Sequence, residues 1–248
     1  MAEAALQLEP IEVIKKKQGK RFSTAVQKLR DKGLAAQSYA EAIQRILDLP
    51  KAKFDETLEI ALRLGVDPKQ SDQNVRGAVA LPHGSGKSAR ILVFAKGAKL
   101  KEAEEAGADF VGAEELVEKI NAGWLEFDSV VATPDMMAVV SKVARVLGPK
   151  GLMPNPKVGT VTMDLKNVIT DLKKGRVEFR IDKAGIVHAG FGKISMGKEK
   201  LIDNFKALTE QIVRAKPSSV KGAYILSAYI SSSMSPSVMV DVASFYQP

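Results

Sequence analysis

The sequence predicts an α/β domain inserted into a second, α+β domain, and three observations carry that reading. From Arg90 to Lys174 four strand-like apolar segments are each followed by a helical one, whereas the stretches on either side are strand-rich with segregated helices. Neither flank holds enough strands for a good sheet alone. Repeated strand-then-helix units imply parallel strands with covering helices, because parallel neighbours need a crossover. Two incomplete flanks imply one domain that the chain leaves and re-enters. The predicted division is 1–84 with 175–248 for the discontinuous α+β domain and 85–174 for the insertion.

In the first flank, Leu58, Ile60, Leu62 and Leu64 alternate with Glu59, Ala61 and Arg63, the period-two pattern of a half-buried strand. Val75 to Leu81 reads as its antiparallel partner. The outward crossing falls at Gly84-Ser85-Gly86, where glycines suit a hinge. Within the insertion, Ile91 to Ala95 precedes a helix over Ala98 to Ala106, and Asp109-Phe110-Val111 precedes one over Ala113 to Asn121. Ser129 to Ala132 precedes Pro134 to Leu147, whose proline suits a first helical turn. Val158 to Thr162, the fourth predicted strand, precedes Asp164 to Lys174.

The chain returns through Lys174-Gly175. Strands over Arg176 to Asp182 and Gly185 to His188 follow, around a turn at Asp182-Lys183-Ala184-Gly185. Leu201, Ile202, Phe205, Leu208 and Ile212 then recur at helical spacing, and that helix ends before Pro217. Gly222 to Ser231 and Ser237 to Val242 are the last two strands.

Composition narrows the function. The chain has no cysteine and only two histidines, His83 and His188, which excludes thiol chemistry, thiolate metal sites and a multi-histidine centre; no cofactor is expected. Its apolar runs are far shorter than the roughly 18 residues that span a bilayer. The basic run from Lys15 to Arg21 is not followed by the apolar stretch of a secretory signal, so a soluble intracellular protein is expected. Lysine and arginine number 37 against 29 acids, a net charge of +8 that suits a polyanionic partner. Residues 85–174 hold 13 bases and 12 acids and the flanks 24 and 17, which places the electropositive surface on the discontinuous domain.

Two motifs invite enzymatic readings. Gly84-Ser85-Gly86-Lys87-Ser88 resembles the end of a phosphate-binding loop, but Leu81 stands where the early glycine belongs and a strand follows where a helix is required. A flexible crossing is the preferred reading. The paired acids Glu104-Glu105 and Glu114-Glu115 lie on polar helical faces, where solvated charge is ordinary. No nucleophile, base and carboxylate recur at a catalytic spacing. The remaining enzymatic alternative is a nucleotide-binding enzyme built on the inserted unit, whose first turn, Lys96-Gly97-Ala98-Lys99, has a single glycine.

Three segments of the flanking domain suit RNA better: Lys51-Ala52-Lys53-Phe54; Arg176, Arg180 and Lys183 with His188; and Ser231 through Ser233, Met234 and Ser235. Bases meet phosphates, an apolar side chain covers sugar or base, and a hydroxyl reaches a ribose hydroxyl. The ordinary alternatives are a lysine beside a core aromatic and a serine-rich loop, and sequence leaves both open.

The stretches Lys53-Phe54-Asp55-Glu56-Thr57, Ser71-Asp72-Gln73-Asn74-Val75-Arg76-Gly77, Leu81-Pro82-His83-Gly84 and Gly148-Pro149-Lys150-Gly151-Leu152-Met153-Pro154-Asn155-Pro156-Lys157 closely resemble the bacterial ribosomal L-one proteins of the mobile lateral stalk. The resemblance runs from about Gly19 to Val240, while residues 1–18 form an extension outside it. It implies two domains joined by a double hinge at Gly84, Ser85, Gly86, Lys174 and Gly175, with the discontinuous domain holding large-subunit rRNA. It also implies a cytoplasmic, ribosome-bound protein that assists release of deacylated tRNA from the exit site and represses translation of its own operon mRNA. The family's RNA contacts carry over to Lys53, Phe54, Thr57, His188, Ser233, Met234 and Ser235. Where the family usually has Thr-Met-Gly, this chain has Ser233-Met234-Ser235, which adds a side chain at the glycine position.

Residues 148–162, GPKGLMPNPKVGTVT, connect the third helix of the insertion to its fourth strand, at the edge where the strands begin. That is the hinge side, opposite the edge where open α/β sheets bind ligands. The loop is therefore expected to form the inner wall of an interdomain cleft, with Lys150 and Lys157 able to reach RNA there.

Overall fold

The computed structural model describes residues 19–31, 33 and 35–245, with the side chains of Ser71 and Lys157 outside that description. The extension 1–18, including Lys15 to Lys17, lies outside the described residues. Helix α1 (Lys20–Asp31) buries Ala25 and Leu29. Helix α2 (Tyr39–Leu47) begins at Ser38, whose hydroxyl accepts the Glu41 N–H, and buries Ala42, Ile43 and Ile46. Strand β1 (Thr57–Leu64) has the expected alternation: Leu58, Ile60, Leu62 and Leu64 are buried, while Glu59 and Arg63 are exposed. Strand β2 (Arg76–Ala80) follows a short 3-10 turn.

The insertion starts with β3 (Ile91–Phe94), buried throughout as a central parallel strand should be, then α3 (Ala98–Glu105), β4 (Phe110–Gly112), α4 (Glu114–Asn121) and β5 (Ser129–Ala132). The sheet order is β4-β3-β5, all parallel. The expected helix over 134–147 is broken into 3-10 turns alternating with α5 (Met137–Val140) and α6 (Ala144–Leu147). Its valines at 139, 140, 143 and 146 are poor helix formers, and the Ser141 hydroxyl donates back to Met137 O at 2.8 Å. The expected fourth strand shrinks to one parallel bridge, Ala132 with Val161. Gly159 takes φ +77°, and the Thr160 hydroxyl accepts the Asn155 N–H at 2.8 Å, so the chain folds back on itself before it can extend. Helix α7 (Leu165–Lys173) completes the insertion, capped by Asp164.

Strands β6 (Arg176–Arg180) and β7 (Ile186–Lys193) meet around Asp182, whose carboxylate accepts the N–H groups of Ala184 and Ile186 at 2.8 Å each. Helix α8 (Lys198–Arg214) buries Leu201, Phe205, Leu208 and Ile212, and β8 (Ile225–Ser232) and β9 (Val238–Val240) follow. The large antiparallel sheet has the order β7-β1-β8-β9. The sequence-based pairing of residues 75–81 with 57–64 is corrected: β2 pairs with β6 in a separate two-stranded sheet, while β1 lies between β7 and β8. Periodicity identifies a strand but not its neighbour, and both partners of β1 come from beyond the insertion.

The apolar interior is segregated. One core joins α1, α2, the large sheet, the β2–β6 pair and α8, with Phe205 stacked on Tyr39 and edge-on to Phe191. Two other clusters cover opposite faces of the parallel sheet and draw only on residues 89–172. The architecture is thus a mixed α/β fold with one parallel and two antiparallel sheets. Among the described residues no helix is long and apolar enough to cross a membrane.

Candidate nucleic-acid interface

Helices cover one face of the large sheet and leave the other bare. On that bare face lie Thr57, Glu59, Ala61 and Arg63 of β1, because their neighbours in sequence point into the core. Residues directly opposite each other share a face, so His188 of β7 and Tyr229 of β8 flank Ala61, and Ser231 lies beside Glu59. Sequence reasoning missed Glu59, Arg63 and Tyr229, although the alternation that marked β1 already pointed the first two outward; Ser231 belongs to the serine-rich segment it singled out.

At one end of this face two loops converge. Phe54 is 55% exposed and Met234 53%, so neither belongs to the core, and the reading of Lys53-Phe54 as a lysine beside a core aromatic falls away. Thr57 N–H donates to the Ser233 hydroxyl at 3.1 Å, and Ser233 N–H donates to Thr57 O at 3.1 Å. Beneath them the buried Glu56 carboxylate accepts the Met234 N–H at 3.2 Å and the Ser232 hydroxyl at 2.5 Å. Burial raises the Glu56 pKa, but the hydrogen bonds from Ser232, Ala52, Met234 and Arg21 more than offset it and hold the carboxyl below its ordinary range. Asp55 is tied to the end of β7 by the Ser195 hydroxyl at 2.7 Å, the first cause of its lowered pKa. The loop bearing Lys53 and Phe54 is thus anchored on both sides.

The serine at the family's glycine position fits without backbone strain. No non-glycine residue among those described has positive φ, and the Ser235 hydroxyl accepts the Ser232 N–H at 2.9 Å and donates to Pro236 O at 3.1 Å.

The other sequence candidates are spread out. His188 shares the bare face, four β1 positions from Thr57, with its Nε2 3.9 Å from Asp182. Lys183 is exposed in the turn at Asp182, beyond the opposite end of β1. Arg180 lies in the β2–β6 pair, across from Arg76. Arg176 turns elsewhere: its guanidinium donates to Val158 O at 2.5 Å, in the 148–162 loop. Lys150, Arg176 and Glu178 line a cavity of about 310 Å³ with Asp128 and Ser129, at the beginning of β5. Desolvation raises the pKa of Glu178 there, opposed by Arg76 and Arg176. Lys157 contributes its backbone to the loop's 3-10 turn.

The two chain crossings run side by side. A Cβ on Gly175, which has φ +95°, would overlap Ser85 N and stand 2.9 Å from Gly84 Cα; one on Gly84 would stand 2.7 Å from Lys174 O. No helix starts at Gly84-Ser85-Gly86-Lys87-Ser88, so no array of helical N–H groups is aimed at a phosphate. Asn204 of α8, fully buried, secures this crossing: its Nδ2 donates to Gly84 O at 2.8 Å and Phe191 O at 2.9 Å, and its Oδ1 accepts the His83 N–H at 3.0 Å. Sequence reasoning passed over it, because a polar residue inside an amphipathic stripe carries no signal of its partners.

Fold and surface together define a class, a basic, mixed α/β protein that presents a bare sheet face. The sequence model of the Ribosomal protein L1p/L10e family matches residues 43–236. A large ribosomal subunit protein uL1 from Bdellovibrio bacteriovorus is 57% identical over 225 residues, which cover 90% of this chain and 94% of that protein. The chain belongs to the ribosomal protein L1p/L10e family. A ribosomal protein is a structural component and not an enzyme, and the nucleotide-enzyme alternative is set aside on that ground.

Proposed function

We propose that this chain is a structural constituent of the large ribosomal subunit and that it holds the rRNA of the mobile lateral stalk. RNA meets the bare sheet face and the paired loops at its end, through Lys53, Phe54, Thr57, His188, Ser233, Met234 and Ser235, with Arg180 and Lys183 adding charge alongside. The observation that carries this reading is the exposure of Phe54 and Met234 on loops fixed to one buried carboxylate. Exposed apolar side chains among lysine and serine suit the sugar and base surfaces of RNA, while the basic flanks neutralise phosphate.

Two domains follow from the same reading: 1–84 with 175–248 binds RNA, and 85–174 rides on it. The separate cores support this division, and the touching glycines support a hinge at Gly84, Ser85, Gly86, Lys174 and Gly175. Lys150 and Lys157 belong to the inner wall of the cleft. The family resemblance adds two roles, release of deacylated tRNA from the exit site and repression of the chain's own operon mRNA through an RNA site like the ribosomal one.

Phe54→Ala tests the reading. Removing an exposed ring changes stability by no more than about 0.5 kcal/mol and weakens binding of a stalk-rRNA transcript by at least about tenfold. Undiminished binding would remove Phe54 from the interface, and unfolding would return it to the core.

A further inference from the structure

Glu56 is 2% exposed and lies directly beneath the surface that presents Phe54 and Met234. Its Oε1 accepts the Ala52 N–H at 2.5 Å and the Arg21 Nη1 at 3.2 Å; its Oε2 accepts the Ser232 hydroxyl at 2.5 Å and the Met234 N–H at 3.2 Å. These donors come from α1, from the loop just before β1, from the last residue of β8 and from the turn after it. Arg21 completes the set by donating its Nη2 to Met234 O at 3.3 Å. Burying a carboxylate is unfavourable unless its lone pairs are satisfied, and here four donors satisfy them. Under a surface that binds a polyanion, however, a negative charge is the wrong sign for attraction. Its placement calls for a reason other than contact.

We propose that Glu56 is the positioning residue of the RNA-binding surface: it fixes the Lys53-Phe54 loop against the Ser233-Met234 turn before RNA arrives, and acts on affinity without touching the ligand. This rests on the reading of that surface given above. A loop already ordered in the free protein loses less freedom on binding, and the gain appears mainly as slower dissociation. Coulomb attraction alone predicts the opposite effect of removing Glu56, since one fewer negative charge beside RNA favours binding. The sign of the change therefore separates positioning from charge.

Glu56→Gln in the full chain is the decisive variant. Glutamine keeps the size, but its amide NH2 faces N–H donors where the carboxylate accepted them. Binding of a stalk-rRNA transcript, measured below the melting temperature of each protein, weakens about tenfold through faster dissociation. The slope of affinity against salt stays as in the wild type, because no phosphate contact is lost. Ser232→Ala leaves the charge and removes one tie; it weakens binding about threefold in the same sense, and decides alone if Glu56→Gln does not fold. Equal or tighter binding by the folded variants, or lowered stability with unchanged dissociation, overturns the proposal. A wild-type chain that ignores the transcript, or Phe54→Ala that binds it normally, overturns the surface reading first and takes the proposal with it.

Discussion

Glu56 is a charged group with almost no water around it, and its pH behaviour follows from its partners. Its folded pKa lies below the ordinary 4.5. A carboxylate depressed in this way contributes stability that is fully present above the ordinary value and is lost as pH falls through the folded value. Urea unfolding should therefore show a constant difference between the wild type and Glu56→Gln from pH 7 down to about 5, shrinking below about 4.5. A difference that grows on acidification would mean that the carboxylate is not held ionised. The sequence shows nothing of this, because Ser232 and Met234 lie 176 and 178 residues away and a Glu beside an Asp reads as ordinary surface charge. Phe54 was only half legible: its pairing with Lys53 suited a core aromatic and an RNA contact alike, and exposure removed the first of these.

Elements were legible where the residues have a single period and illegible where backbone detail competes with it. The alternation of β1 and the apolar stripe of α8 translate directly into buried faces. The predicted fourth strand failed at Gly159, and the third helix at its valines and Ser141, where local geometry outweighs pattern. The crossings make a sharper case, because Gly175 combines a left-handed backbone with backbone neighbours in direct contact. Gly222 has a similar φ, +86°, but open space around it. Gly222→Ala should lose about 1–2 kcal/mol from backbone strain alone, and Gly175→Ala more than that, because Ser85 and Gly84 must also move. Denaturant midpoints measure both. Equal losses would mean that the paired crossings yield freely.

For the whole molecule, the inserted unit was visible in the sequence as repeated strand-then-helix units and as a near-neutral stretch between basic flanks, whereas which strands pair across it was not. The adjacent crossings predict that a chain joining 1–84 directly to 175–248 folds and keeps the full chain's affinity for stalk rRNA, with the same steep loss in added salt. Residues 85–174 alone should bind that RNA negligibly; comparable binding would move the proposed RNA face to the insertion. The position of β1 between β7 and β8 also orders events during synthesis. The insertion is contiguous in sequence and can close its sheet as soon as it leaves the exit tunnel, but β1 waits through more than 120 further residues for its first neighbour. Its second, β8, ends at Ser232. A nascent chain released after the insertion is complete but before that strand therefore carries an intact inserted unit and an incomplete large sheet, so such truncated products lack the proposed RNA surface by topology alone.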